Sequence, residues 1–383
     1  MSKAIARILK SRGIAARFIF KLFTGALLAS FAVGVSAQTN VEMFGVLSVG
    51  VADINNSAVK GVGGSVARVQ SSLDYPSFIG FRGAEDLGDG DKAIFSLAEH
   101  VAVDTGVGGQ GTSMFSKNAW VGLSSGTLGT IMIGRNDEFA PDQCSVTALC
   151  GNGLIFTLHP GNLDRIGGSQ LASMVKYSSP NFGNFLFRSF YSFGNANATT
   201  NQGRAIGLES VYRTPELVIV GSYESLRGVT LSPLSANLGI GTTRLFNTPV
   251  TTATAFAVDK QDIYVLGGRY TVGNMSYTAT FSDVVLQFRG VNSALKTLEL
   301  GGTYKLSDPI SITAGAYQSR QESSRWNTLG LTFTYSLSKR TNIYIVDGYQ
   351  RVSGPNQLAQ MFQAGTSSNS AQNVIATGIR HAF

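Results

Sequence analysis

Three histidines, His100, His159 and His381, are all that a chain of 383 residues offers as imidazole bases. None sits in a nucleophile motif, no G-x-S-x-G occurs, and no carboxylates pair up outside one acidic segment described below. An enzymatic reading therefore has nothing to stand on. There are 2 cysteines, Cys144 and Cys150, too few for a disulfide framework, and with only His159 nearby they make a poor metal site. No cofactor or metal is expected. Prolines number 9, and no Pro- or Ser-rich linker or composition shift divides the chain. Charged residues make up 14%. Beyond the N-terminal segment no apolar run reaches the ~20 residues of a membrane-spanning helix.

The first 37 residues hold Lys3, Arg7, Lys10, Arg12, Arg17 and Lys21 and no acid. The apolar run LFTGALLASFAVGV follows, with small residues at Val35 and Ala37. This is the pattern of a secretory signal removed after Ala37, and the run is short for the alternative, a membrane anchor. Those six side chains belong to the 30 basic residues, so 24 basic residues remain against 23 acidic ones, a net charge of +1. The basic pI thus comes mostly from the signal and gives no argument for nucleic-acid binding. Residues 38–383 read as one domain.

What fills that domain is alternation. In TLGLTFTYSL, Leu329, Leu331, Phe333, Tyr335 and Leu337 alternate with Gly330, Thr332, Thr334 and Ser336. MSYTATFSD and ISITAGAY repeat the pattern. Strands with one apolar face and one hydroxyl-rich or small face suit a soluble sandwich as well as a barrel. The connections separate the two. Sixteen strands are expected, near 40–53, 75–84, 92–103, 114–124, 129–136, 172–179, 184–193, 204–213, 216–226, 262–272, 274–285, 295–306, 309–318, 326–337, 341–351 and 373–383. Long gaps, among them 54–74, 137–171, 227–261, 286–294 and 352–372, alternate with short ones such as TP, SD and SKR. Short turns at one end and long loops at the other mark a transmembrane β-barrel. The expected fold is all-β, a 16-stranded antiparallel barrel in which the last strand, NVIATGIRHAF, pairs with the strand that begins near Val41.

The stretches VEMFGVLSVGV, SFIGFRGAEDLGDGDKAIFSLAEHVAVDTG, FSKNAWVGLSSGTLGTIMIGR, VKYSSPNFGNF, LSKRT and GIRHAF run from one end of the domain to the other. Together they resemble the general diffusion porins of beta-proteobacteria. The resemblance implies a homotrimer in the outer membrane of a Gram-negative cell and a third loop folded into the lumen. It also implies passive diffusion of ions and small hydrophilic solutes. Phe383 looks like the C-terminal signal that such proteins present to the outer-membrane assembly machinery, and it suits an interfacial aromatic belt as well. The implied constricting loop is 137–171, whose acids Asp137, Glu138, Asp142 and Asp164 would form one side of the passage. Basic residues on the wall would form the other: Arg82, Lys117, Arg135, Arg165 and Arg188. By alternation Arg82 faces inward while Ile79 and Phe81 face lipid. Lys117 is expected inward with Ala119, and Trp120 outward. Opposed charges across a narrow aqueous passage favour polar solutes over apolar ones.

Two positions depart from the family pattern. Phe78 stands where the family carries a wall arginine, and Lys117 stands where it carries another. With an inward Phe78 the cationic wall is thinner, and the expected pore is less anion-favouring than its relatives. Cys144 and Cys150, exported to an oxidising compartment in one loop, are expected to pair, with two free thiols as the alternative. Two other readings remain: a solute-specific porin, which would need more lumenal aromatics than Phe78 and Tyr317, and a plugged structural or surface-binding barrel. The long segment 227–261 could serve as a shield, a latch to a neighbouring subunit or a binding surface.

Overall fold

A computed structural model describes residues 40–109, 113–150, 155–194, 202–231, 244–246, 248–249, 256–354 and 357–383. The signal reading of residues 1–37 lies outside them. Sixteen strands close into a barrel. The first eight are β1 (Asn40–Ile54), β2 (Phe78–Gly88), β3 (Asp91–His100), β4 (Asn118–Ser125), β5 (Gly129–Asp137), β6 (Gln170–Ser178), β7 (Phe185–Phe193) and β8 (Arg204–Arg213). The rest are β9 (Leu217–Leu231), β10 (Phe256–Val272), β11 (Met275–Phe288), β12 (Val291–Ser307), β13 (Ile310–Gln321), β14 (Ser324–Ser336), β15 (Thr341–Ser353) and β16 (Ala371–Ala382). Each pairs antiparallel with its neighbour, and β1 closes on β16 with Val46 opposite Ala382 and Ile54 opposite Val374. The backbones of Gly45 and Phe383 exchange two hydrogen bonds of 3.1 Å. Closure leaves no edge for lipid to solvate, which it could not do.

The two faces of every strand are chemically different. Leu329, Leu331, Phe333 and Tyr335 of β14 are exposed, while Trp326, Thr328 and Thr332 are buried. The exposed rows carry Leu, Ile, Val and aromatic side chains around the barrel, as a lipid-facing surface requires. The buried rows carry Ser, Thr, Gln and Glu among apolar residues that include Trp326, Tyr317 and Tyr344.

Several sequence expectations are corrected at the loop end. The segment 54–74 is not all loop: Val66–Ser71 forms a further strand on the upper half of β1, with Val49 opposite Ser71. The segment 286–294 is a hairpin continuing to Phe288 and resuming at Val291, with only Arg289 and Gly290 between. Similarly β9 and β10 reach well into 227–261, pairing Leu231 with Phe256. Alternation continues there past the membrane, because a hairpin in water still buries one face. The remainder of 227–261 lies mostly outside the described residues, apart from a short ribbon pairing Arg244–Leu245 with Thr248–Pro249.

Candidate permeation site

Between β5 and β6 the chain leaves the wall, and the described part of this excursion is a run of short turns. Helix α1 (Ala140–Ser145) starts with Pro141 in its first turn, where the missing N–H costs nothing. Two single-turn 3₁₀ helices follow at Ile155–Thr157 and Pro160–Asn162. Cys144 and Cys150 form a disulfide with a Cα–Cα distance of 5.2 Å. The neck is held by Lys176 of β6, whose Nζ donates to the carbonyls of Asp137 and Glu138 at 2.8 and 2.6 Å.

The segment packs against the buried rows of β8–β13. Gln143 donates to Glu224 at 3.0 Å and to Ser222 at 2.8 Å. One oxygen of Glu299 accepts from the backbone N–H groups of Ala148 (2.7 Å) and Leu149 (3.0 Å). Thr280 donates to the carbonyl of Val146, Gln261 to that of Leu163 and Tyr317 to that of Leu158. The wall admits this close approach through glycines. A Cβ at Gly267 would come within 2.5 Å of Val146 Cγ2, and one at Gly301 within 2.4 Å of Ala148 Cβ. Any side chain there would push the segment off the wall.

The four expected acids are all engaged. Asp142 pairs with Arg188 and, at 2.9 Å, with Arg213, and Arg188 also reaches Glu209 at 2.8 Å. Arg188 thus joins an acid of the segment to the wall strand β7. Asp137 meets Lys117 at 3.7 Å and accepts from Gln170 at 2.7 Å. Glu138 pairs with Arg165 at 2.5 Å inside the same segment, so Arg165 belongs to the neck and does not face the acids from a wall. Burial opposes the Arg165 charge, but the Glu138 carboxylate outweighs it and holds the guanidinium above its ordinary value. Asp164 accepts from Ser282 at 2.7 Å and lies 2.5 Å from His159 Nδ1.

His159 is the centre of a buried carboxylate–imidazole–carboxylate bridge, with its Nε2 3.0 Å from Glu299 of β12. Burial alone would push this imidazole down. The attraction of Asp164 and its hydrogen bonds to Asp164 and Glu299 win, raising it to about 10. Asp164 is held below its usual value: burial opposes its charge, but the facing His159 cation prevails.

Arg82 lies on the inner face at the turn end, paired with Glu42 and stacked 4.8 Å over the Phe44 ring. Phe78 is buried beside Phe44, and Lys117 Nζ sits 4.9 Å over its ring. Two expectations fail. Trp120 is opposite Ser96 in the row of Arg82, while Val121 and Leu123 are exposed, so Trp120 faces inward. Lys117 still reaches the interior because it precedes β4 and does not follow that strand's alternation. Arg135 shares its row with the exposed Ile131 and Ile133 and donates to the carbonyl of Ser116 at 2.7 Å. It does not join the inner wall, and a register shift between Gly134 and Asn136 lies beside it.

Opposite the wall-bound side of the segment lies a cleft of about 440 Å³. Pro141, Ile155 and Leu158 line it from the segment, and Asp74, His100 and Lys117 line it from the side of β1–β4. Asp74 is tied to Arg380 at 3.1 Å and to Ser48 at 2.5 Å. Burial raises the Asp74 carboxyl above its ordinary value although Arg380 opposes the shift. Sequence reasoning missed Glu224, Glu299, Arg213, Asp74 and Arg380. A charged residue inside a run of alternating strand, such as Glu299 between Leu298 and Leu300, was the available signal. Among the described residues no cluster of side chains fits a metal ion.

Comparison with known proteins gives one consistent answer. Residues 24–355 match the family model described as Gram-negative porin. An outer membrane porin protein of Bordetella pertussis is 27% identical over 94% of this chain and 99% of its own length. Outer membrane porin protein 32 of Delftia acidovorans is 26% identical over 91% of this chain and 95% of its own. Among solved structures, the anion-selective porin from Comamonas acidovorans superposes with a TM-score of 0.74 at 22% identity, covering 90% of this chain and all of that one. A trimer form of OmpT from Vibrio cholerae gives 0.63 at 15% identity, covering 90% and 99%.

Proposed function

The chain belongs to the Gram-negative porin family of outer-membrane channels, and from that premise we propose how its passage is narrowed and what it favours. The described part of the segment 138–169 lies inside the cylinder as a shelf on the β8–β13 wall, and solutes pass on its other side, along the cleft bordered by Lys117, Asp74 and His100. One observation carries this reading: Glu299, on a buried row, accepts two backbone N–H groups from the segment and meets His159. A loop lying outside the barrel could not reach that row.

The charges Lys117, Asp137 and Asp74 that line the cleft are each held in a close pair, Lys117 with Asp137 and Asp74 with Arg380. With Phe78 in place of a charge beneath Lys117, the field along the passage is nearly balanced. The channel therefore passes small hydrophilic solutes with little preference for anions, unlike the anion-selective porin from Comamonas acidovorans. We assign it no catalytic step. The reading extends to export through the cleaved segment 1–37, delivery to the assembly machinery through the Phe383 strand, and a homotrimer. The exposed aliphatic rows of β1 and β4 (Val41, Met43, Val51, Val121 and Leu123) are the faces that copies would bury. The test is reconstitution in planar bilayers under a salt gradient. Stepwise conductance with a reversal potential near zero is expected. Absence of steps would identify a plugged barrel, and a strongly anion-selective potential would refute the charge argument.

A further inference from the structure

The cleft beside the segment is more apolar than a passage for ions needs to be. Pro141, Ile155 and Leu158 line it from the segment, and Tyr75, Pro76, Val101 and Ala102 line it from the side of β1–β4. Phe362, which precedes β16, adds a ring. Two apolar walls with a gap between them suit a flat apolar body. Backbone pairing fixes the second wall: Val101 donates to the carbonyl of Ser77 at 3.0 Å, and His100 stands opposite Phe78 in the register of β2 and β3. Tyr75 is 44% exposed, so its ring is available to a solute. At about 440 Å³ the cleft falls within the ~300–1,000 Å³ of small-molecule sites.

Most polar groups in the cleft are spent on one another. Asp74 is held by Arg380 and Ser48, Ser71 donates to Asp104 at 2.7 Å, and Ser77 donates to the carbonyl of Ser48 at 3.0 Å. Asn162 donates to the carbonyl of Gly168 and accepts from Gly167, and Gln170 donates to Asp137. Lys117 is different. Its Nζ lies 3.7 Å from Asp137, an ion pair beyond hydrogen-bonding reach, and over the Phe78 ring. Among the described residues its N–H donors have no hydrogen-bond acceptor. His100 Nδ1 is 3.1 Å from Ser116 Oγ, and Nε2 has no partner among the described residues. Ser116 Oγ also accepts the His100 backbone N–H, which leaves its own proton for Nδ1 and puts the ring proton on Nε2. Beside the apolar walls, therefore, two donors stand unused, and one of them is charged.

On the premise that solutes take this route, we propose that the cleft is a transient binding site for small aromatic monocarboxylates. The ring lies between Tyr75 and the apolar side chains of the segment, and the carboxylate meets Lys117 and His100. A carboxylate supplies the acceptors those donors lack, and hydrogen bonds to an ionised group are the strong ones. A sugar would set hydroxyls against Pro141, Ile155 and Leu158, which cannot pair them. An inorganic anion would use Lys117 and leave both walls bare. A cationic solute finds Asp137 and Asp74 already neutralised by Lys117 and Arg380. A second carboxylate on the solute would be repelled by the same two acids, so the site takes one negative charge. It sorts solutes by shape and leaves the nearly balanced field of the passage as it is.

Benzoate is the probe, with acetate, benzamide and phthalate as comparisons, each added to channels in planar bilayers while interruptions and excess noise of the ion current are recorded. Benzoate is expected to bind roughly tenfold more tightly than any of the other three. Lys117→Gln is expected to weaken benzoate roughly tenfold and to leave benzamide where it was. Tyr75→Ala is expected to weaken benzoate roughly fivefold and to leave acetate where it was. Equal affinity for benzoate and acetate overturns the proposal, since the walls then add nothing. Equal affinity for benzoate and benzamide does so too, as apolar adhesion only, and so does wild-type affinity in Lys117→Gln. Should that variant fail to assemble, Tyr75→Ala decides by the same comparison. Channels that open in steps yet ignore benzoate refute the site and leave the open passage standing. If no steps appear, the open passage fails by itself, and broadening of the benzoate proton resonances by micellar protein, wild type against Lys117→Gln, still decides the site.

Discussion

Replacing His159 with glutamine tests what holds the segment around it against the wall. His159 is the one cation between two buried carboxylates, Asp164 in its own segment and Glu299 on the wall. Removing a partner from a buried ion pair costs ~3–5 kcal/mol, because the remaining charges stay buried without compensation. The rise from an ordinary 6.5 to about 10 corresponds to about 5 kcal/mol at ~1.4 kcal/mol per unit, an upper figure of the same size. The sign of the pH dependence follows. Because His159 is raised, its contribution is complete below its free value of 6.5 and drains away as pH climbs toward 10, by about 1.4 kcal/mol per unit. Asp164 is lowered, so its contribution is present above the ordinary carboxylate value and is lost only in stronger acid. The segment should therefore be held most firmly between about pH 4 and 6.5. The assay is single-channel recording across pH 5–10, where loosening appears as flicker and subconductance states. Wild-type noise should grow through the alkaline range, and His159→Gln should be noisy throughout with little further pH response. Since the segment is local and the ladder is global, melting of the barrel should move much less. Quiet His159→Gln channels, or wild-type channels equally quiet at pH 5 and 10, would refute the bridge as the anchor.

The barrel was legible in the sequence because the rule that shapes it is local. TLGLTFTYSL must put its leucines on one side whatever else the chain does, and β14 does so. Loop ends were less legible for the same reason. The alternation of β9 and β10 does not stop at the membrane surface, so pattern alone cannot say where lipid ends. Trp120 shows a different weakness. Its neighbours were assigned from Lys117, which lies outside the strand, and a parity counted from such a residue is inverted. The partners of Asp164 and His159 on the wall were not found, because Ser282 and Glu299 are more than a hundred residues away from them. No local periodicity encodes that meeting. The inward glycines Gly267 and Gly301 encode it indirectly: small residues on a buried row mark where something else comes close to the wall.

Two further perturbations probe the passage itself. The Cys144–Cys150 disulfide closes a short ring, worth about 2 kcal/mol in the chain-entropy account, at a point where both residues line the cleft. Changing both to serine should leave assembly and barrel melting intact while raising open-channel noise, and unchanged noise would show that the wall contacts suffice alone. Phe78→Arg addresses selectivity. Phe78 lies beneath Lys117, with 4.9 Å from the ammonium nitrogen to the ring centroid, so an arginine there adds a second cation beside the cleft. In water a unit charge acts on an ion ~7 Å away with about 0.6 kcal/mol. That energy favours an anion and disfavours a cation at once, so the anion-to-cation permeability ratio should rise severalfold. The shift should shrink as salt is raised, because the Debye length falls from ~10 Å at 0.1 M to ~3 Å at 1 M. Reversal potentials in a tenfold salt gradient measure this directly. If the wild type already prefers anions strongly and Phe78→Arg leaves the potential where it was, ions do not pass Lys117 at all, and the route along the β1–β4 side of the segment is wrong.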